Sequence, residues 1–272
     1  MAIRCVSYNI QYGVGMDGRY DLDRIVEAIG GADVIALQEV TRGAPWNGGA
    51  DMVAGLVAAF PGRFAATHFP ADVDFGSTVV DGRAQERRFQ FGNMVISRWP
   101  LTATRGHLLP RSMRTGRLNL QRGALEAMVA TPQGPIRFHS VHLDHVDIEE
   151  RLAQIDALRA IALDFERDGG AITGLAEYGF PELPLPRDFL LMGDFNFAPG
   201  SREHAAMLAG GAIVEASAGA PGDSWADPRG VEPGKRLDHC FANPALAARI
   251  GDCRIDEAAM GSDHKPVWLT IG

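Results

Sequence analysis

The sequence is poor in cysteine and has no long apolar run. Its three cysteines, Cys5, Cys240 and Cys253, are odd in number and widely spaced, which argues against a framework of structural disulfides. No uncharged apolar stretch approaches the roughly 18 residues that cross a bilayer, and the first residues do not show the pattern of an export signal. We therefore expect a reduced, cytoplasmic protein without stable membrane association.

Lysine is also scarce, because Lys235 and Lys265 are the only two, and arginine supplies nearly all of the positive charge. The formal net charge is -8, which argues against a general electrostatic grip on nucleic acid. Nine arginines nevertheless lie between residues 83 and 122, where the only acid is Glu86. This segment indicates either bidentate phosphate recognition or a compositional bias towards arginine.

Apolar residues make up 46% of the sequence, enough for one sizeable domain covering residues 1–272. Strands are predicted over residues 3–9, 33–40, 64–68, 93–98, 122–130, 135–143, 189–192, 236–242, 251–256 and 265–271. Helices are predicted over 22–30, 148–167 and 201–209, and residues 169–187 read as a surface insertion. Two groups of strands interrupted by helices favour a two-sheet sandwich over a single parallel sheet, although periodicity alone leaves the choice open.

The segment Gly193-Asp194-Phe195-Asn196 follows an apolar strand. An acid and an amide two residues apart point the same way at the end of a strand. Together they can hold a water molecule and a phosphoryl oxygen. The alternative is an Asx-type turn that only closes the strand.

A second polar segment, Ser262-Asp263-His264, lies beside the last predicted strand. Histidine is the usual proton donor or acceptor near neutral pH. Asp238, in Arg236-Leu237-Asp238-His239, is placed to accept a hydrogen bond from the ring of His264 and to hold its tautomer.

Asn9 and Glu39 end the first two predicted strands and offer hard oxygen ligands. The cysteines do not cluster with histidines at zinc spacings, so Mg²⁺ or Mn²⁺ is favoured. For Glu39 alone, a solvated strand terminus is the alternative.

Seven segments, in order along the chain, resemble the endonuclease/exonuclease/phosphatase superfamily. They are Ser7-Tyr8-Asn9-Ile10, Leu37-Gln38-Glu39-Val40, Phe91-Gly92-Asn93-Met94-Val95-Ile96-Ser97-Arg98, Val141-His142-Leu143, Gly193-Asp194-Phe195-Asn196, Arg236-Leu237-Asp238-His239 and Ser262-Asp263-His264. The resemblance implies a four-layered α-β-β-α sandwich of two mainly antiparallel sheets, with the active site at one end between them.

The resemblance also implies roles for single residues. Glu39 would be the central metal ligand, with Asn9 and Asp263 as further ligands. Asp194 would orient or deprotonate the attacking water, and Asn196 would hold that water or a phosphoryl oxygen. His264, paired with Asp238, would act as acid or base, and His142 would stabilise charge on the phosphoryl oxygens. Which of Asp194 and His264 takes the proton stays open.

Three further residues, Asn93, Arg122 and His145, are candidates for phosphate binding. For Arg122 the alternative is bracing of a neighbouring loop. Gln38, Asn93, His145 and His239 are also candidates for residues that support the catalytic side chains.

The resulting hypothesis is a monomeric hydrolase that depends on Mg²⁺ or Mn²⁺ and cleaves a phosphodiester, with DNA or RNA among the candidate substrates. A phosphomonoesterase or a sphingomyelinase-like hydrolase acting on a small phosphorylated molecule or lipid headgroup is the alternative. A catalytically silent binding module is a third, since a fold alone does not establish a function.

Overall fold

The computed structural model describes residues 1–272, and two six-stranded sheets form its centre. The first sheet comprises six strands, β1 Ile3–Asn9, β2 Val34–Arg42, β3 Phe64–Asp74, β6 Arg88–Ser97, β13 Ile250–Ile255 and β14 Val267–Ile271. Their order across the sheet is β13-β14-β1-β2-β6-β3. The second sheet comprises β7 Leu101–Leu108, β8 Gly123–Thr131, β9 Gly134–His142, β10 Phe189–Asp194, β11 Val214–Glu215 and β12 Asp238–Ala242. Their order across the sheet is β11-β12-β10-β9-β8-β7. A small hairpin, β4 Thr78–Val80 and β5 Arg83–Gln85, stands apart.

Most neighbouring strands are antiparallel, and the parallel pairs are β1 with β2 and β9 with β10. The predicted sandwich of two mainly antiparallel sheets is confirmed. The strand predicted over 64–68 continues to Asp74, and β7 and the small hairpin were not predicted. The alternation in β7 is built from threonine, arginine and histidine, so apolar periodicity did not reveal it.

The helices are α1 Leu22–Ile29, α2 Met52–Ala59, α3 Ile148–Leu163, α4 Phe165–Asp168, α5 Arg202–Leu208 and α6 Pro244–Ala247. The carboxylate of Asp21 accepts from the backbone N–H groups of Asp23 and Arg24 and so caps α1. The helix predicted over 148–167 is divided at Asp164 into α3 and α4. No helix is both long and apolar enough to cross a membrane.

Three apolar clusters separate the layers. The largest takes side chains from both sheets, among them Cys5 and Met192, and fills the space between them. A second packs Ile25 of α1 and Leu56 of α2 on the outer face of the first sheet. A third packs Ile155 of α3 and other helical side chains on the outer face of the second sheet. The layer order is therefore α-β-β-α, as predicted.

The inner faces of the two sheets change from apolar to polar along the strands. In β1, Ile3 and Cys5 belong to the core between the sheets, whereas Asn9 at the end of the same face is polar. Since alternate residues share a face, β10 shows the same change, from Met192 in the core to Asp194 at its end. One edge of the space between the sheets is thus lined by polar groups.

Gly193 lies between these two regions, where the strands approach very closely. A Cβ atom built on Gly193 would lie 1.9 Å from the carbonyl oxygen of Val141, its partner on β9. Only glycine fits at this point without a shift of the backbone.

We expect Gly193→Ala to lower the free energy of unfolding by about 2–3 kcal/mol, because the overlap with Val141 forces the two strands apart. Urea-induced unfolding followed by circular dichroism would measure the change. Gly219 is the matched control, since an added Cβ there meets nothing within 4 Å, and Gly219→Ala should stay within about 0.5 kcal/mol of the parent protein. Equal unfolding midpoints for the two variants would contradict the packing argument.

Candidate active site

The polar edge gathers side chains from both sheets. Its members are Asn9 at the end of β1, Glu39 in β2, His142 at the end of β9, Asp194 at the end of β10, Asp238 at the start of β12, and Asp263 and His264 just before β14. The structure brings these residues, which the sequence places far apart, to one end of the sandwich.

Glu39 reaches this edge because β2 contains a bulge. Leu37 pairs with Met94 and Val40 with Gly92, so Gln38 and Glu39 together oppose the single residue between those partners. Glu39 has a φ of 60°, which is uncommon for a residue with a side chain. The bulge turns two successive side chains towards the space between the sheets. Strained backbone of this kind is concentrated at functional sites.

Asn9 links the two sheets. Its Nδ2 donates to Asp194 Oδ2 at 3.0 Å and to Glu39 Oε1 at 3.3 Å, and lies 3.5 Å from His264 Nε2. Its Oδ1 accepts from the backbone N–H of Gln11 at 3.0 Å. One amide therefore holds a carboxylate from each sheet in place.

Asp194 is buried and lies among hydrogen-bond donors. Besides the bond from Asn9, its Oδ2 lies 3.4 Å from His142 Nε2 and 3.6 Å from His264 Nε2. Its Oδ1 accepts from the backbone N–H of Asn196, whose φ is 54°. The Asx-type turn considered from the sequence is thus present, and it leaves Oδ2 facing the site. Burial raises the pKa of Asp194, although the charge of His264 opposes this.

His264 and Asp238 form a buried pair. His264 Nδ1 lies 2.7 Å from Asp238 Oδ2, and because an ionised carboxylate only accepts, Nδ1 carries the proton. Burial disfavours the charged imidazole, but the carboxylates of Asp238 and Asp194 outweigh it and raise the pKa of His264 to about 10. The ring is therefore held as an imidazolium with Nε2 directed towards Asp194.

Glu39 and Asp263 lack a positive partner of their own. Burial, and then the charge of Asp263, raise the pKa of Glu39 to about 7. Burial also raises the pKa of Asp263, whose Oδ2 accepts from the indole N–H of Trp225 at 3.1 Å. Neither of these two carboxyl groups ionises easily beside the other, and a hard divalent cation between such oxygen ligands would offset their charge. The three side chains whose possible ligand atoms all lie within 4.8 Å of one another are Asp194, Asp238 and His264, although Asp238 and His264 already bond each other.

Arg122 is buried and contacts two histidines, His142 and His145. Its Nη2 lies 2.8 Å from His145 Nδ1, and its Nη1 lies 3.0 Å from Nδ1 and 2.8 Å from Nε2 of His142. Burial, and then the charge of Arg122, lower the pKa of both histidines, that of His142 strongly. The carboxylates of Asp194 and Glu39 also face Nε2 of His142, at 3.4 and 4.0 Å, so this ring lies between the guanidinium and the carboxylate edge. These contacts agree with the alternative that Arg122 braces its neighbours. Binding of phosphate by Arg122 stays a prediction.

Two other predicted residues connect the sheets. Asn93 is 1% exposed and its Nδ2 donates to the carbonyl oxygens of Gly123 and Ser140 at 2.8 and 3.0 Å. Gln38 donates to Ser140 Oγ at 2.9 Å. Both hold β2 and β6 against β8 and β9, and substrate binding by Asn93 stays a prediction.

Trp225 and Gln11 are site residues that the sequence did not reveal. Trp225 bonds Asp263, and Gln11 accepts from the backbone N–H of Asp263 at 3.3 Å through Oε1. Both lie in irregular segments, where periodicity carries no signal. The only available clue was the position of Gln11 two residues after Asn9.

His239 lies behind the site on the outer face of β12. Its Nδ1 lies 2.9 Å from Glu215 Oε1, and its Nε2 lies 2.9 Å from the carbonyl oxygen of Phe197. Glu215 also contacts His204 at 2.9 Å and Arg236 at 3.0 Å. This network fixes the strand that carries Asp238.

We expect Glu215→Gln to lower the free energy of unfolding by roughly 2–3 kcal/mol at pH 7. Burial alone would raise the pKa of Glu215, but His239, His204 and Arg236 outweigh it and lower the pKa to about 2. The stabilisation is complete above the unfolded pKa and is lost as the pH falls through the folded one. The difference between the variant and the parent should therefore shrink as urea unfolding is repeated from pH 5 towards pH 2. Glu177→Gln, at an exposed acid, is the control, and a difference that does not change with pH would refute this account.

The comparisons with known proteins give one family. The family model described as the endonuclease/exonuclease/phosphatase family matches residues 6–264. No curated protein matches the chain at a significant level.

Solved structures with the same fold cover nearly the whole chain. An endonuclease/exonuclease/phosphatase from Beutenbergia cavernae is 22% identical, with a TM-score of 0.69 over 99% of this chain and 71% of that chain. A mannosyl-6-phosphatase from Bacteroides thetaiotaomicron is 16% identical, with a TM-score of 0.63 over 99% of this chain and 100% of that chain. A 3' phosphatase from Neisseria bound to product DNA hairpin is 18% identical, with a TM-score of 0.62 over 99% of both chains. At these identities the likeness concerns the fold.

Proposed function

Because the chain belongs to the endonuclease/exonuclease/phosphatase family, whose members are hydrolases of phosphoester bonds, we propose that it is a phosphodiesterase that depends on Mg²⁺ or Mn²⁺. The observation that carries the proposal is the convergence on Asn9. Its Nδ2 lies within 3.5 Å of Glu39, Asp194 and His264, so a metal ligand, a base and an acid surround one small volume.

Glu39 is the proposed central metal ligand, with Asp263 and the side-chain oxygen of Asn9 as further ligands. A divalent cation bound there would polarise the phosphoryl group as a Lewis acid and offset its negative charge. The donor set fits, because Glu39 and Asp263 are oxygen ligands whose mutual repulsion a cation would relieve. Magnesium needs only one or two protein carboxylates and takes its other ligands from water and substrate.

Asp194 is the proposed general base. Its Oδ2 faces the site, while Asn9 and the backbone of Asn196 hold the carboxylate in one orientation. His264 is the proposed donor, because Asp238 keeps it charged and leaves Nε2 directed into the site. The proposal assigns the base to Asp194 and the proton donor to His264 because His264 is the group of the two that is held in its charged, protonated form.

His142 and Asn196 complete the proposed site. The ring of His142 lies at the carboxylate edge, with Nε2 3.4 Å from Asp194 Oδ2, where it can stabilise a phosphoryl oxygen as negative charge builds up. Arg122 Nη1 contacts both nitrogens of that ring and fixes its position. The Nδ2 of Asn196 donates to the carbonyl oxygen of Leu143 at 3.1 Å, so its Oδ1 is the atom left to hold the attacking water.

Charge favours a diester over a monoester. The site contains four carboxylates, those of Glu39, Asp194, Asp238 and Asp263, and its cations are Arg122 and the imidazolium of His264. One divalent ion would bring this set close to neutrality. A diester adds one negative charge to that nearly neutral set and a monoester adds up to two, so the diester leaves less charge uncompensated. Residues 1–272 are proposed to act as one domain and as a monomer, since the central core draws on both sheets.

We expect Asp194→Asn and His264→Ala to lower turnover of bis-p-nitrophenyl phosphate by at least about 100-fold, because each removes a proton-transfer group. The measurement is the steady-state release of p-nitrophenol in Mg²⁺ and in Mn²⁺. The parent enzyme should hydrolyse this diester faster than p-nitrophenyl phosphate.

Asp252→Asn, at an exposed acid on β13, is the matched control and should retain parent activity. Circular dichroism establishes that each variant is folded. Full turnover by folded Asp194→Asn or His264→Ala protein would refute the assigned roles, and a preference for the monoester would refute the diesterase proposal.

We expect Glu39→Gln to weaken Mn²⁺ binding by at least about tenfold, because the central anionic ligand is lost. Isothermal titration calorimetry gives the affinity, and the rise in unfolding temperature on adding Mn²⁺ gives an independent readout. Glu27→Gln, on the exposed face of α1, should bind as the parent does. Unchanged affinity in Glu39→Gln together with loss in Asp238→Asn would place the cation at the Asp194, Asp238 and His264 group instead.

A further inference from the structure

A row of aromatic rings leads away from the candidate active site. We call Tyr12, Trp46, Phe75 and Phe89 the aromatic row. The ring centroids of Tyr12 and Trp46 are 5.4 Å apart, those of Trp46 and Phe89 5.1 Å, and those of Phe89 and Phe75 5.3 Å. These separations lie in the range of favourable aromatic contacts. The row is therefore one packed unit.

The row adjoins the candidate active site at two of its members, Tyr12 and Phe89. Tyr12 directly follows Gln11, whose backbone N–H bonds Asn9. On the other side Phe89 lies 6.4 Å from Phe91, and Phe91 lies 5.8 Å from the ring of His142. A substrate held at the carboxylate edge thus has aromatic surface beside it.

Trp46 is held exposed by a rigid support. It is 43% exposed, although Asn47, the next residue, is only 7% exposed. The Nδ2 of Asn47 donates to Thr41 Oγ1 at 3.1 Å and to the carbonyl oxygen of Tyr12 at 3.0 Å. The turn Pro45–Asn47 therefore presents its indole in a fixed orientation. Phe75, at 49% exposure, is presented on the same row.

A cleft of about 480 Å³ opens beside the row, and Phe75 is the member of the row that lines it. Gly48 and Gly49 also line the cleft, and an added Cβ at either would meet nothing within 4 Å. The charged lining residues are Arg87, Arg88 and Glu86, so the lining charge is net positive. Arg88 bonds Asp72 at 2.7 Å, whereas the guanidinium of Arg87 has no carboxylate partner and is free to meet an anion.

We propose that the aromatic row and this cleft bind a single strand of nucleic acid, with an unpaired base stacked on Trp46 and a neighbouring phosphate at Arg87. The proposal rests on the phosphodiesterase function and names its substrate class. Aromatic faces with nearby arginine are the combination that binds single strands, because every unpaired base offers a flat face and every linkage a negative charge. A duplex keeps its base faces covered, and a membrane offers no planar group to a fixed indole.

Binding of two fluorescein-labelled hexanucleotides of equal charge tests the proposal. One is hexathymidylate and the other carries abasic tetrahydrofuran residues at every position, so only the bases differ. Fluorescence anisotropy in EDTA prevents cleavage and separates this measurement from catalysis. We expect the parent protein to bind hexathymidylate roughly 5- to 100-fold more tightly, because one or more bases stack on the protein. Trp46→Ala should reduce that ratio to about threefold or less, and Trp46→Phe should retain most of it.

Tyr178→Ala is the matched control, since Tyr178 is 75% exposed and lies outside the aromatic row. It should leave the ratio unchanged. Arg87→Gln should weaken both strands alike and reduce the slope of log affinity against log salt by about 1.

Equal affinity for the two strands, absence of binding to either, or an unchanged ratio in Trp46→Ala would each overturn the proposal. Trp46-dependent binding to phosphatidylserine vesicles with equal affinity for the two strands would overturn it in favour of a lipid surface. Failure of the phosphodiesterase function would appear separately, as a lack of bis-p-nitrophenyl phosphate turnover while the strand preference persists.

Discussion

Mutual repulsion among buried and half-buried carboxylates is the constraint on which the rest of this structure depends. Glu39, Asp194 and Asp263 lie at one edge of the sandwich, and burial raises the pKa of each. A cluster of carboxylates of this kind is stable only if the remaining structure holds its members in place. The Asn9 amide, the imidazolium of His264 and a large apolar core between the sheets supply that support.

The two-sheet architecture explains how these groups can be both buried and accessible. Each inner face is apolar over most of its length and becomes polar only near one end, so the core excludes water up to the site. Networks on the outer faces, such as Glu215 with His239 and Arg236, then fix the strands from behind. Most of the site residues are thus positioned on strands or directly beside them.

Much of the fold and the pairing of Asp238 with His264 could be predicted from the sequence. The alternation in β1 and the polar residues after β10 are patterns within a few residues. Asp238 and His264 lie 26 residues apart, and each belongs to a segment that resembles the family. The bulge at Glu39 could not be predicted, since its φ of 60° depends on the pairing of β2 with β6. Trp225 and the aromatic row were missed for a related reason. Their partners are distant in sequence, and single aromatic residues in loops show no periodicity.

The arginines of segment 83–122 do not all face one surface. Arg98 pairs with Asp33 directly before β2, away from Glu39, and Arg105 pairs with Glu126.

The pairing of β1 with β14 has a consequence for the integrity of the candidate site. Asn9 and His264 are 255 residues apart in sequence, and they meet because β14 is aligned against β1. Any opening between these two strands would separate the two side chains. The geometry of the candidate site therefore requires the closed sheet.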